Sequence, residues 1–283
     1  MTTFRCNSAI RASYKAEDRT QLVVEKAEAS RSQRTYARLA GFLFLAVIAL
    51  ALAGGSILSH VAGSGTFAER AARIAASERL YRTGLAMALI VSLGSVLLAF
   101  SLYATLRPVN SLLAQLAMIF TLTDSFLALI VRMCGFVRVH LYASAQSVGA
   151  GMTAVQTQSD LMSSIADVTE NIGGICFGIG LLIFFYLFFR SRYIPRAVSA
   201  LGFFASAVWI ALYFAGLIFR QLHELFQHIA FPPMGLADVI TGFYLMLFAV
   251  RTKAPDHHTV QHPHYHSKSL LPLEPISGIP VTS

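Results

Sequence analysis

Six long apolar segments, separated by more polar connections, make up most of this chain. Each holds about 20 residues, and an α-helix of that length crosses the roughly 30 Å hydrocarbon core of a bilayer. The segments are residues 39–58, 84–106, 109–131, 172–189, 197–219 and 234–250. Because hydrocarbon offers the backbone no hydrogen-bond partners, only helices or closed barrels span it. The pattern predicts an all-α fold, a six-helix transmembrane bundle.

The composition agrees with a lipid environment. Hydrophobic residues make up 55% of the chain and charged residues only 13%, whereas soluble domains carry about 25% charged residues. The net charge is +8, but eight of the 22 lysines and arginines precede the first segment and most others flank segment ends. This distribution is typical of contact with anionic lipid head groups. The lipid bilayer is the expected partner and nucleic acid is not, while a protein partner or a homo-oligomer stays open.

Two polar segments flank the apolar region. Residues 1–36 mix basic and acidic side chains and lack the apolar core of a secretory signal. Residues 251–283 are rich in histidine and proline. Neither segment can bury enough apolar surface to fold alone, so both are predicted to be disordered cytosolic tails. Residues 37–250 then form one six-span membrane domain.

The orientation follows from the basic residues near the segment ends. Arg190, Arg192 and Arg196 lie in the short connection between the fourth and fifth segments. Short loops rich in lysine and arginine stay in the cytoplasm. We therefore expect a multi-pass protein of the cell membrane, the inner membrane, with both termini in the cytoplasm.

The connection between the first and second segments predicts a short helix. Thr66 and Glu69 have the spacing of a capping box, in which each side chain accepts a hydrogen bond from the other residue's backbone N–H. Phe67, Ala71 and Ile74 then fall on one face. An interfacial amphipathic helix between helices one and two is expected here.

The fourth segment carries two packing signals. Gly174 and Gly178 have the GxxxG spacing that lets helices approach closely. Packing within the bundle is the expected use, and dimerisation is the alternative. Residues 184–189 are rich in phenylalanine and end at the inner interface, where they predict a lipid-facing aromatic belt.

Polar side chains within or next to the segments gather towards the outer face. Five are candidates to line one outward-facing polar vestibule: Asp124, Asp167, Glu170, Asn171 and Asp238. A charge at the centre of a spanning helix costs about 2.5–3.5 kcal/mol on insertion scales, so each needs a reason. The vestibule would bind a small ligand or a cation, or relay protons. The alternative is that these carboxylates meet water or pair with Arg132, Arg138 and Arg220.

Histidines suggest only weak metal candidates. His223, Glu224 and His228 resemble HExxH but contain one residue too many, so both imidazoles cannot easily reach one metal on a helix. The tail adds His257, His258, His262, His264 and His266. A flexible tail without preformed geometry favours adventitious capture of zinc, nickel or copper. No biological metal site is predicted.

The sequence lacks the common motifs of nucleotide-binding proteins and serine hydrolases, which excludes these function classes. It has no nucleotide-binding glycine loop, dinucleotide fingerprint or serine-nucleophile elbow, so no catalytic residue and no cofactor are predicted. The leading hypothesis is a non-enzymatic membrane protein that binds a small ligand or ion. Two alternatives stay open: a membrane enzyme at the outer face using Glu170, Glu224 or His228, and a structural or partner-binding subunit. Transport is disfavoured because no apolar segment contains an internal proline.

Four short segments, in the same order along the chain, resemble domain-of-unknown-function family 4386, a family of bacterial multi-spanning membrane proteins. They are ARLAG at 37–41, AASERLYRTG at 75–84, LYATLRPVN at 102–110 and FRSRYIPR at 189–196. The resemblance implies a six-helix membrane protein and brings no established activity or catalytic residue. The chain departs from the family pattern at residues 121–124 and at Asp238, where a glutamate is usual.

Overall fold

The computed structural model describes the backbone of residues 3–145, 152–219 and 223–248, and the side chains of residues 31–144, 153–219 and 232–248. All of these belong to one compact unit, Met1–Thr252, and the remaining unit, Lys253–Ser283, lies outside the described residues. The predicted disorder of residues 251–283 and the five histidines there therefore stay predictions.

Within these ranges the fold is all-α, with seven helices and no strand. They are α1 (Thr3–Ala62), α2 (Phe67–Ala76), α3 (Glu78–Leu106), α4 (Ser111–Ala145), α5 (Met152–Ser191), α6 (Arg196–Ile218) and α7 (His223–Phe248).

Five of these helices contain a stretch that is long and apolar enough to cross a membrane. The stretches are Arg31–Ala62, Glu78–Leu106, Ser111–Ser144, Thr153–Ser191 and Arg196–Ile218. The described apolar part of α7, Pro232–Phe248, is shorter. The predicted all-α, multi-pass membrane fold is thus confirmed at the level of five candidate spans, and the sixth stays a prediction.

The long helices form a closed ring. Each long helix packs against the long helices that precede and follow it in the order α1, α3, α4, α5, α6 and α7, and α7 contacts α1. Since lipid tails are as apolar as the side chains, close packing rather than the hydrophobic effect holds such helices together. Glycines at the contacts serve this purpose: a Cβ on Gly41 of α1 would collide with the α7 backbone at Gly242 and Met246.

The GxxxG pair packs within the chain, as predicted. A Cβ on Gly174 would collide with the ring of Tyr213 in α6, and one on Gly178 would press against Ile210 and Trp209 of the same helix. The two glycines of α5 therefore leave room for bulky side chains of α6 to lie directly against the α5 backbone.

The phenylalanine run of α5 belongs mostly to the core. Phe184, Phe185 and Phe188 are each 1% exposed, while Tyr186 and Phe189 face outward. The predicted lipid-facing belt is therefore wrong for three of these five aromatic residues. The physical reason is that α6 covers this face, where Gly202 leaves the space that the Phe185 ring fills.

The short helix α2 has the predicted amphipathic form. The Thr66 hydroxyl accepts from the Glu69 N–H, and the Glu69 carboxylate accepts from the Thr66 N–H at 3.0 Å. Phe67, Ala71 and Ile74 are buried, with the Phe67 ring 5.6 Å from that of Tyr142 in α4. The helix lies across the last turns of α4, and its position at a membrane interface stays a prediction.

Helix α1 starts far ahead of its apolar part. The backbone from Thr3 onward is helical, where the sequence analysis predicts a disordered tail. The first glycine is Gly41 and no proline precedes it, while alanine, lysine, arginine and glutamate are frequent. These residues favour continuation of the helix from the membrane segment.

Candidate functional site

One cavity inside the ring is lined by charged side chains. This polar cavity has a volume of about 220 Å³ and is bounded by α1, α3, α4, α5 and α6. Its charged residues are Asp124 and Arg132 of α4 and Glu170 of α5. Its other polar side chains are Ser92, Ser95, Ser125, Thr169, Trp209 and Tyr213.

Asp124 reaches the polar cavity because α5 has a glycine beside it. A Cβ on Gly173 would lie 3.0 Å from Oδ1 of Asp124, so any larger residue there would displace the carboxylate. Arg132 follows two turns later on α4, and its buried Nε has no hydrogen-bond partner among the described residues. Two carboxylates and one guanidinium therefore line one small space, although the Glu170 side chain is itself exposed.

The serine and threonine hydroxyl groups of the polar cavity donate their protons within their own helices. Ser92 donates to the carbonyl of Ala88 at 3.2 Å, Ser125 to that of Thr121 at 3.0 Å and Thr169 to that of Ile165 at 2.7 Å. Such bonds four residues back are common for serine and threonine in helices. The hydroxyl oxygens can then only accept further bonds, which adds to the acceptor character of the two carboxylates.

A second, larger cavity adjoins the first. This apolar cavity has a volume of about 540 Å³ and is lined by residues of α1, α3, α4, α5, α6 and α7. Its wall consists of Phe44, Val47, Ile48, Ala51, Leu52, Ser95, Leu98, Leu102, Thr121, Phe177, Leu181, Trp209, Pro232, Met234, Gly235, Asp238 and Val239. Both the size and the apolar wall are typical of small-molecule sites.

Asp238 is the charged residue of the apolar cavity. Its side chain is 8% exposed, and its buried Oδ1 has no hydrogen-bond partner among the described residues. It lies ten residues before the end of α7 at Phe248, which at 1.5 Å per residue is about 15 Å along the helix. A buried carboxylate oxygen without a hydrogen-bond partner is costly.

Trp209 lies where the two cavities meet. Four residues line both of them: Val47, Ser95, Phe177 and Trp209. The Trp209 Nε1 donates to the Gly174 carbonyl at 3.0 Å, and its indole stacks on the Tyr213 ring at 4.9 Å. Trp209 is the only tryptophan of the chain. No motif surrounds Trp209 in the sequence, so its place between the cavities was not predicted.

The five predicted vestibule residues do not meet in one place. Asp124 and Glu170 line the polar cavity, and Asp238 lines the apolar cavity. Asp167 is exposed, and Asn171 donates from its Nδ2 to the Asp167 carbonyl at 2.8 Å within α5. Neither Asp167 nor Asn171 lines either cavity, and whether any of the five binds a ligand stays a prediction.

The arginines proposed as alternative partners differ in position. Arg132 shares the polar cavity with Asp124 and Glu170. Arg138 instead donates to the Tyr142 hydroxyl at 2.7 Å. Arg220 lies outside the described residues.

Helix α7 contains two internal prolines, Pro232 and Pro233. The sequence analysis predicts no proline inside a span because it starts the last apolar segment at residue 234. The helix in fact starts at His223, so both prolines fall within it and remove two backbone donors from its hydrogen-bond ladder. Pro232 also lines the apolar cavity.

The candidate metal ligands have side chains that the structure does not describe. The side chains of His223, Glu224 and His228, like those of the tail histidines, fall outside the described residues. Among the described residues no group of three or more histidine, cysteine, aspartate or glutamate side chains is placed to hold a metal ion.

Comparison with known proteins gives one result. No curated protein and no solved structure matches this chain significantly. A family model does match, over residues 39–249, which includes both cavities and all of the candidate spans except the first residues of the first one. The chain belongs to this family, DUF4386, a domain of unknown function.

Proposed function

We propose that this chain is a six-span protein of the cell membrane that binds, in the polar cavity, a small ligand bearing a positively charged group. The ligand enters from the outer face, and both termini lie in the cytoplasm. The function is binding rather than catalysis.

The observation that supports the proposed site is the meeting of Asp124 and Glu170 on one cavity wall. Two carboxylates on one cavity wall repel each other, and a bound cation offsets that repulsion. Arg132 partly balances them, which leaves one net negative charge. A monovalent cation, or a zwitterion with its carboxylate at Arg132, fits this charge balance.

The size of the cavity limits the ligand. About 220 Å³ is below the usual range for drug-sized molecules. Inorganic cations, methylammonium and small amino acids such as glycine are therefore the first candidates.

The sixth span is supported by the length of α7. The helix has 26 residues, and at 1.5 Å per residue this gives about 39 Å, enough to cross a bilayer. An even number of spans agrees with both termini on one side.

The test uses Trp209 as a reporter, because this single tryptophan lines the polar cavity. The full chain in lipid nanodiscs is titrated with sodium, methylammonium and glycine while its fluorescence is followed. We expect a saturable change with at least one of them. The variants Asp124→Asn and Glu170→Gln should weaken the affinity for that ligand by about tenfold or more, the factor for one charge-assisted hydrogen bond.

Asp160→Asn is the matched control, since Asp160 is an exposed carboxylate on α5. It should leave the titration unchanged. Equal responses of all three variants, or no saturable response in the unaltered chain, would contradict the proposed ligand class.

A further inference from the structure

The apolar cavity combines a large hydrophobic wall with one ionisable side chain. Among the described residues that line it, Asp238 alone carries a carboxylate, and none carries a basic group. The aromatic residues on the same wall are Phe44, Phe177 and Trp209. A wall of this kind suits an organic ligand with an apolar body and one polar end.

The hydrogen-bond donors among the side chains of this wall already donate to backbone carbonyl groups. The Ser95 hydroxyl donates to the Val91 carbonyl at 3.0 Å, and the Thr121 hydroxyl donates to the Ala117 carbonyl at 2.9 Å. The Trp209 indole N–H donates to the Gly174 carbonyl, and Pro232 has no backbone N–H. The side chains of the wall therefore offer acceptors to a ligand, with Asp238 the strongest of them.

From this arrangement we propose that the apolar cavity binds a lipophilic amine, whose ammonium group donates to Asp238. The hydrophobic part of the amine lies between Phe44, Leu98 and Leu181 in the interior of the ring. The two cavities share four wall residues, but this site uses a different carboxylate and takes a ligand with a large apolar body, so it does not depend on the function proposed above.

Two simpler ligands would each satisfy only one of the two features of this cavity, its apolar volume and the Asp238 carboxylate. A lipid acyl chain fills the volume but leaves Oδ1 of Asp238 without a donor, which is costly in hydrocarbon. An inorganic cation pairs with the carboxylate but leaves the apolar volume unfilled. A lipophilic ammonium ion satisfies both, and the aromatic rings add favourable contacts with its charge.

The test measures contact quenching of Trp209 by brominated probes. The full chain is placed in phosphatidylcholine nanodiscs and titrated with bromooctylamine and, separately, with bromooctanol, which has the same chain and no charge. We expect the amine to reach half-quenching at a concentration at least about tenfold lower than the alcohol, because one charge-assisted hydrogen bond separates them. Equal quenching by the two probes would overturn the proposal and leave an acyl chain as the better occupant.

Two variants change the site in different ways. Asp238→Asn removes the charge and should bring the two probes within about twofold of each other. Gly235→Leu should block both probes, because Gly235 lines the cavity and a Cβ there meets no described atom within 4 Å. The Cβ of the new side chain enters open space, and leucine favours the helix over glycine, so this variant serves even if Asp238→Asn fails to fold.

Matched controls separate this site from other effects. Gly55→Leu makes the same change at an exposed position of α1 that is equally free of neighbours among the described atoms, and it should leave the preference for the amine intact. Asp124→Asn should also leave it intact. Loss of the preference in Asp124→Asn, but not in Asp238→Asn, would place the amine in the polar cavity and overturn the proposal.

Discussion

The side-chain amide of Gln33 donates a hydrogen bond to the Tyr193 hydroxyl at 3.0 Å. The same nitrogen also donates to the Thr105 carbonyl at 2.8 Å. Three distant parts of the chain thus meet: the approach to the first span, the end of α3, and the connection between α5 and α6. The connections at residues 107–110 and 192–195 therefore lie at the same end of the ring as Gln33.

This meeting point leads to a prediction about topology. Single cysteines at Asn110 and Ser191, introduced into a chain without Cys6, Cys134 and Cys176, should both react with a membrane-impermeant maleimide only from the cytoplasmic side. A cysteine at Ser64, in the connection before α2, should react only from the outside. Labelling of positions 110 and 191 from opposite sides would contradict the predicted orientation.

Loss of the Gln33 amide should destabilise the chain. Gln33→Ala leaves the buried Thr105 carbonyl without this donor, and an unsatisfied buried group costs about 1–3 kcal/mol. We expect a lower thermal midpoint in detergent micelles than for the unaltered chain. Gln115→Ala, at an exposed position of α4, is the control and should change the midpoint little.

Gly174→Ala should disturb the contact between α5 and α6. Its Cβ would collide with the Tyr213 ring, and overpacking of this kind typically costs about 1–3 kcal/mol. Because the Gly174 carbonyl accepts from Trp209, the tryptophan emission should shift as well as the thermal midpoint. Gly55→Ala, where no described atom lies within 4 Å of the added Cβ, should leave the emission unchanged and should not lower the midpoint, because alanine favours a helix over glycine.

Much of the fold is predictable from strong local signals. Apolar length alone locates the long helices, and the Thr66–Glu69 spacing predicts the start of α2 correctly. Hydropathy cannot show which side of a helix faces lipid when the helix is apolar on all sides. For this reason the burial of Phe184, Phe185 and Phe188 was not foreseen.

The candidate sites were less predictable, because they depend on how the helices rotate within the ring. Asp124 and Glu170 meet only because their faces turn towards the same interior space. Asp238 has no sequence signal that assigns it to a second cavity. The role of Trp209 at the boundary between the cavities likewise follows from its contacts in space, since no motif surrounds it.

The contact between Asp124 and Gly173 leads to a last prediction. It tests whether ligand binding depends on the exact position of the Asp124 carboxylate as well as on its charge. Gly173→Ala brings a methyl group to 3.0 Å from Oδ1 of Asp124, so the carboxylate must move by a few tenths of an ångström. If Asp124 binds the ligand of the polar cavity, this shift weakens binding while the charge remains. In Asp124→Asn the ligand has already lost its charged partner, so adding Gly173→Ala should weaken binding less than it does alone. Neighbours that act on one ligand give such non-additive effects, typically about 0.5–3 kcal/mol. Titrations of the two single variants and the double variant, followed by Trp209 fluorescence, measure this difference; strictly additive effects would show that Gly173 acts on the ligand independently of Asp124.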